Sequence, residues 1–133
     1  MGAAGRHILL IDDDPDMQYA IRLILEPRGY QVDCQATAVG GLEAIRRQPP
    51  GAILLDIVLA SPCEGLELAA RLGEDARLAQ IPIIMISAIG REVGADWARE
   101  AGVDSVRADR FLEKPLDAQV LLTAVQEVLE ARD

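Results

Sequence analysis

The sequence predicts an α/β domain built on a doubly wound parallel sheet with helices on both faces. Three observations carry this. Apolar runs of strand length alternate five times with segments of helical spacing. The runs Ala52–Leu55 and Ile81–Ile86 are continuously apolar rather than alternating, as strands covered on both faces are. Each βα unit spans roughly 20–30 residues, enough for a helix and a right-handed crossover.

The first strand is read over His7–Ile11. Met17, Ile21, Ile24 and Leu25 then recur at helical spacing, so a helix follows over Met17–Leu25. Asp14 reads as its N-cap and Pro15 as its first helical position, with Gly29 suited to its end. A second strand over Gln31–Ala36 and a helix over Val39–Ile45 follow, closed by the break Gln48-Pro49-Pro50-Gly51. The third strand is Ala52–Asp56 and its helix Leu66–Leu72. A fourth strand, Pro82–Ile86, leads to a helix over Val93–Ala101 that ends at Gly102. The fifth strand covers about Arg110–Glu113. The last helix, Val120–Leu129, is carried by Val120, Leu121, Ala124, Val125, Val128 and Leu129. Periodicity alone leaves the strand order open.

At 133 residues the chain fits one domain, residues 7–133, after a short tail at 1–6. Half the residues are hydrophobic but only 3% are aromatic, so the core is expected to be aliphatic. No apolar run approaches the ~18 residues of a membrane span, and Met1–Gly5 lacks the basic start of a signal peptide. Cys34 and Cys63 form neither a disulfide framework nor a metal spacing, which suits reduced thiols in the cytoplasm. A net charge of −9 argues against nucleic acid as a direct partner, and Arg46-Arg47 is too short a run to reverse that.

In open parallel sheets, ligands sit beyond the carboxyl ends of the strands. Here the first strand ends in Asp12-Asp13 and the third in Asp56, Ser87 follows the fourth, and Lys114-Pro115 follows the fifth. Each such end is ordinary alone; together they gather at one sheet edge. Carboxylates crowded there repel unless a hard cation sits among them, and Mg²⁺ favours oxygen ligands. Two adjacent aspartates cannot point the same way, so one is expected to ligate directly and the other through water. Asp56 is then a candidate nucleophile, Ser87 a hydroxyl donor and Lys114 a mobile charge for an added oxyanion. Such a set suits phosphoryl transfer onto a carboxylate. Lys114 is the only Lys, while Arg fills the other basic positions, which points to a reason for ammonium rather than guanidinium.

Four ordered stretches resemble the receiver domain of bacterial two-component response regulators over His7 to about Ala131. They are Ile8-Leu9-Leu10-Ile11-Asp12-Asp13-Asp14-Pro15, Leu54-Leu55-Asp56-Ile57-Val58-Leu59, Ile83-Ile84-Met85-Ile86-Ser87-Ala88 and Phe111-Leu112-Glu113-Lys114-Pro115. The resemblance implies a flavodoxin-like five-stranded sheet of order 2-1-3-4-5 with five helices. It implies that Asp56 accepts phosphate from a phosphohistidine on a histidine kinase or phosphotransfer protein. It further implies Mg²⁺ held by Asp13, Asp56 and the backbone carbonyl of Val58, with Asp12 acting through water, Ser87 and Lys114 contacting the phosphoryl group, and a cis Lys114–Pro115 bond. Ser87 and Phe111 would form the switch: the hydroxyl moves toward the phosphoryl group and the aromatic turns into the vacated space, altering the surface near the last two helices. Many relatives carry Tyr where Phe111 stands, so recognition through that hydroxyl is excluded here.

The chain also departs from the family pattern. The loop read over Ala60-Ser61-Pro62-Cys63-Glu64 to Gly65 is one residue longer than the commonest form, and Val103–Arg110 is about five residues longer than usual. Val58 and Ile89, each two residues beyond a site residue, are apolar and orient no water, so a phosphoryl group lasting minutes to hours is expected. His7 reads as an ordinary strand-entry residue, Trp97 as partial core or a partner contact, and Cys63 as a thiol without a basic neighbour to activate it. Two rival readings are a Mg²⁺-dependent phosphatase or phosphotransferase with an aspartyl intermediate and a scaffold independent of phosphorylation. The first lacks a cap insertion; the second leaves the acid pair, Asp56 and Lys114 unexplained. A single-domain regulator and an excised receiver both fit the chain's length.

Overall fold

Five parallel strands hydrogen-bond side by side in the order β2-β1-β3-β4-β5. The structure, a computed structural model, describes residues 6–56, 62–87 and 109–132, the side chains of 62–66, 87 and 132 excepted. The strands are β1 His7–Ile11, β2 Gln31–Gln35, β3 Ala52–Asp56, β4 Ile83–Ser87 and β5 Arg110–Glu113. The helices among the described residues are α1 Pro15–Leu25, α2 Ala38–Arg47, α3 Pro62–Glu74 and α4 Ala118–Arg132, with a 3₁₀ turn at Glu26–Arg28. The helix expected over Val93–Ala101, with Trp97 and Gly102, lies outside the described residues, as do Val58, Ile89 and most of Val103–Arg110.

The strand order explains the apolar runs. Side chains alternate across a strand, so each continuous run splits between two cores. Leu9, Ile11, Ile53, Leu55, Ile83 and Met85 face α2 and α3, where Leu42, Ile45, Leu68 and Leu72 meet them. Ile8, Leu10, Leu54, Ile84 and Ile86 face the other way, against Ile21, Leu25, Leu121, Val125 and Val128 of α1 and α4. Each such buried Leu or Ile stabilises the fold by about 1.5–3 kcal/mol before entropy is counted. The aliphatic core that the composition predicts is therefore two layers, one on each face.

Element ends follow local chemistry. The Asp14 carboxylate accepts from Asp16 N at 2.9 Å with Pro15 opening the helix, so α1 begins two residues before the first apolar position, Met17. Thr37 caps α2 through Gly40 N at 2.9 Å, and Asp117 caps α4 through Gln119 N and Val120 N. Gly29 takes φ +90 and closes the 3₁₀ turn, a conformation that suits Gly. Several boundaries differ from expectation by a few residues, and two of them have a clear local cause. The stretch read as a loop through Gly65 is helical from Pro62, because proline suits the first helical position. β4 is shifted by one residue, since Pro82 has no N–H to give a ladder; its carbonyl instead accepts from Ile53 N at 2.9 Å.

Arg6, placed by sequence in the tail, is tied to the fold. Its guanidinium donates to the carbonyls of Arg28 (2.8 Å) and Gly29 (3.2 Å) and lies 4.7 Å above the Tyr30 ring. At the other end of the molecule, Asp109 grips β4: its carboxylate accepts from Ile83 N at 2.9 Å, and its own N–H donates to Ile83 O at 2.8 Å. The Lys114–Pro115 peptide bond is cis.

Candidate functional site

Two strand ends deliver the acidic residues. β1 and β3 are neighbours, with Ile11 registered against Leu55. Asp12 and Asp56, one residue beyond each, therefore emerge side by side at the carboxyl edge of the sheet. Asp12 is fully buried and Asp56 only 3% exposed, while Asp13 faces solvent. Carboxylate oxygens of Asp12, Asp13 and Asp56 lie within 4.8 Å of one another.

β5 supplies the cation. Just beyond its end, Lys114 Nζ donates to Asp56 Oδ2 at 3.3 Å and lies 3.7 Å from Asp12 Oδ2. The ammonium is partly shielded from solvent, so its attraction to the buried carboxylates is stronger than that of a surface pair. One ammonium against three carboxylates leaves a net negative site.

Local bonds hold Asp12 in place. Its Oδ1 accepts from Asp14 N at 2.9 Å, its carbonyl accepts from Gln18 Nε2 at 2.7 Å, and its N–H donates to Gln35 O at 3.0 Å. Gln18 carries no motif and escaped the sequence reading; it lies one turn inside α1, where any polar residue passes for solvated surface. Burial pushes the Asp12 carboxyl from 3.8 up to about 6, against the pull of the Asp14 amide; the negative charge of Asp56 raises it further and Lys114 lowers it.

These residues fit a hard cation on two counts. Every donor is an oxygen. Asp12 Oδ2 is buried with no hydrogen-bond partner among the described residues, a costly state for a carboxylate oxygen that ligation, direct or through water, relieves.

Ser87 ends β4 and is registered against Glu113, the residue before Lys114, so backbone pairing brings the two together. Its side chain lies outside the described residues. Phe111 is registered against Met85 and is half-buried against the core that includes Leu9 and Met85. Asp12, Asp13, Asp56 and Lys114 are thus brought together, Ser87 adjoins them by register, and Phe111 stands three residues back along β5. The Val58 carbonyl, Ile89 and the Cys63 thiol lie outside the described residues.

Comparison with known proteins adds independent findings. A family profile described as the response regulator receiver domain matches residues 8–126. The chain is 32% identical over 127 residues to the transcriptional regulatory protein CseB of Streptomyces avermitilis, covering 96% of this chain and 50% of that protein. It is 33% identical over 126 residues to the phosphate regulon transcriptional regulatory protein PhoB of Pseudomonas aeruginosa, covering 94% and 52%. The chain thus spans about half the length of the curated relatives it matches. Among solved structures, a CheY-like response regulator receiver domain protein from Methanospirillum hungatei superposes with a TM-score of 0.80 at 28% identity, covering 96% of this chain and 95% of that one.

Proposed function

The chain belongs to the response regulator receiver domain family, and from that premise we propose that Asp56 is the residue phosphorylated in its switch. The donor is a phosphohistidine on a histidine kinase or phosphotransfer protein. An oxygen of the Asp56 carboxylate attacks phosphorus, the P–N bond breaks, and the electron pair returns to the departing imidazole.

Each nearby residue has a part. Lys114 holds Asp56 in place and meets the charge that develops on the transferred oxygens. Asp12 and Asp13, with Asp56 and the Val58 carbonyl, form the seat for Mg²⁺. These residues would hold the cation, which would supply positive charge to offset the carboxylates and the incoming phosphoryl oxygens. The Ser87 hydroxyl donates to the phosphoryl oxygens, and Phe111 then repacks. In this way a charge change at Asp56 reaches the surface formed by β5 and the flanking helices. The protein works as a switch rather than a multi-turnover catalyst. Among the described residues no helix is long and apolar enough to cross a membrane, and we assign the domain to the cytoplasm, where histidine kinases present their phosphohistidine. Output passes to a protein target or an attached domain.

The observation that carries this reading is the placement of the buried Asp56 carboxylate within 4.8 Å of two others and 3.3 Å from an ammonium. The test is treatment with acetyl phosphate and Mg²⁺, followed by intact mass. One phosphoryl group is expected on the unsubstituted chain and none on Asp56→Asn. Equal labelling of the two would reject Asp56. Hydrolysis of a small phosphate ester with turnover would favour the phosphatase instead.

A further inference from the structure

We propose that the open edge of β2 accepts an extended acidic peptide segment as an added strand, held by the backbone of Val32 and Cys34 and by Arg22 and Arg47. The inference does not rest on phosphoryl transfer at Asp56.

Backbone geometry makes the edge available. Among the described residues β2 pairs with β1 alone. The Gln35 carbonyl accepts from Asp12 N, so Gln35 faces β1. In a parallel ladder alternate residues turn their N–H and C=O to the same side, so Gln31 and Asp33 face β1 as well. Val32 and Cys34 therefore present theirs outward. Such a row is a template for strand addition.

A cavity of about 540 Å³ reaches this edge, with Asp33, Cys34 and Gln35 of β2 in its wall. Successive side chains of a strand point to opposite faces. His7 and Leu9 of β1 and Ala44 of α2 line it too, on the face that Asp33 and Gln35 share, so the cavity lies under α2 and opens at the β2 edge where Cys34 and Arg22 complete its wall. Helices from both faces reach it, with Arg22 of α1 on one side and Arg47 and Gln48 at the end of α2 on the other.

Charge selects the occupant. Arg47 makes no ion pair among the described residues. Arg22 touches the Cys34 thiol and, at 3.2 Å, Glu26, an exposed helical pair of small worth. Asp33, the acid within the cavity wall, is engaged by His7 Nε2 at 2.6 Å, and the two guanidinium groups are the cations that line the cavity. Acidic side chains on an added strand meet an Arg on either face of the sheet.

The test uses a fluorescent peptide of about seven residues, a usual strand length, of sequence Val-Glu-Glu-Val-Glu-Glu-Val, which sets Glu on both faces of the strand, with Lys in place of Glu as control. Expected results are saturable anisotropy for the Glu peptide only and slowed amide exchange at Val32 and Cys34. Methylating the backbone nitrogens on the pairing side of the peptide should abolish binding. Replacing both arginines (Arg22→Gln with Arg47→Gln) should weaken binding by about tenfold or more at an unchanged melting temperature, while Asp56→Asn binds as the unsubstituted chain does. The proposal is overturned if the Glu peptide does not saturate, if the double variant binds equally, if the two amides stay unprotected, or if sedimentation shows the edge filled by a second copy.

Discussion

Lys114 Nζ donates to Asp56 Oδ2 across 3.3 Å, joining residues 58 positions apart in the chain. The contact crosses from the end of β5 to the end of β3, over β4, and places the only lysine beside the proposed acceptor. Replacing Lys114 with Met removes the charge and keeps most of the stem. Acetyl phosphate should then label Asp56 about 100-fold more slowly, the usual cost of losing one donor to a developing oxyanion. Lys114→Arg keeps the charge in a planar head that fits a point-charge site poorly, so partial recovery is expected. Labelling of Lys114→Met at the full rate would remove Lys114 from the reaction.

The three clustered carboxylates predict stabilisation by metal. A cation that binds the folded cluster and not the unfolded chain adds about 1.4 kcal/mol at ten times its dissociation constant. That should raise the melting temperature by several degrees in a domain of this size. Asp13→Asn removes an exposed ligand without disturbing the core, and it should abolish most of the rise while leaving the metal-free melting temperature near its original value. No rise at millimolar Mg²⁺ would contradict the assignment of these three residues as ligands.

The sheet was legible because the apolar runs have strand length and most open or close near Pro, Gly or Asp. β1, β3 and β5 agree with expectation to the residue. The site was legible because its members stand at strand ends, and a parallel sheet brings strand ends together whatever their separation in sequence. The strand order came from family resemblance; periodicity says which residues form a strand but not which strand lies beside it. Two features were invisible for a related reason. Gly41 permits α2 to lie against β1, since a Cβ there would stand 2.5 Å from Ile11 Cδ1 and 2.9 Å from its Cγ1. Nothing near Gly41 in sequence names Ile11. The His7–Asp33 contact likewise depends on strand pairing, and a lone His at a strand entry carries no mark of its partner.

Phosphoryl lifetime should be long. Val58 and Ile89 stand two residues beyond Asp56 and Ser87 in the sequence, and neither side chain holds a hydrogen-bonding group able to orient an attacking water. Purified phosphorylated protein with Mg²⁺ should decay over minutes to hours. Val58→Asn adds an amide able to orient water and should shorten the lifetime by roughly tenfold or more, within the range of positioned polar groups. Decay within seconds in the unsubstituted chain would refute the shielding role of both residues.

Asp12 predicts an inverted pH dependence of stability without metal. Unfolded, its carboxyl titrates near 3.8; folded, burial raises it to about 6. Between those values the folded chain holds a proton that the unfolded chain has released. The Asp12 contribution therefore falls as pH rises through this window, and its penalty is complete above the folded value. Asp12→Asn keeps an oxygen to accept from Asp14 N but carries no charge, so it removes the penalty. In the absence of divalent ions the variant should melt above the unsubstituted chain at about pH 7, and the gap should close below about pH 4. Mg²⁺ competes with that same proton, so its stabilisation of the unsubstituted chain should grow as pH rises through about 6 and be small in Asp12→Asn. Parallel melting curves for the two proteins from about pH 4 to 7 would show that Asp12 is solvated as an ordinary surface carboxylate, and the burial that makes it both costly and metal-seeking would have to be abandoned.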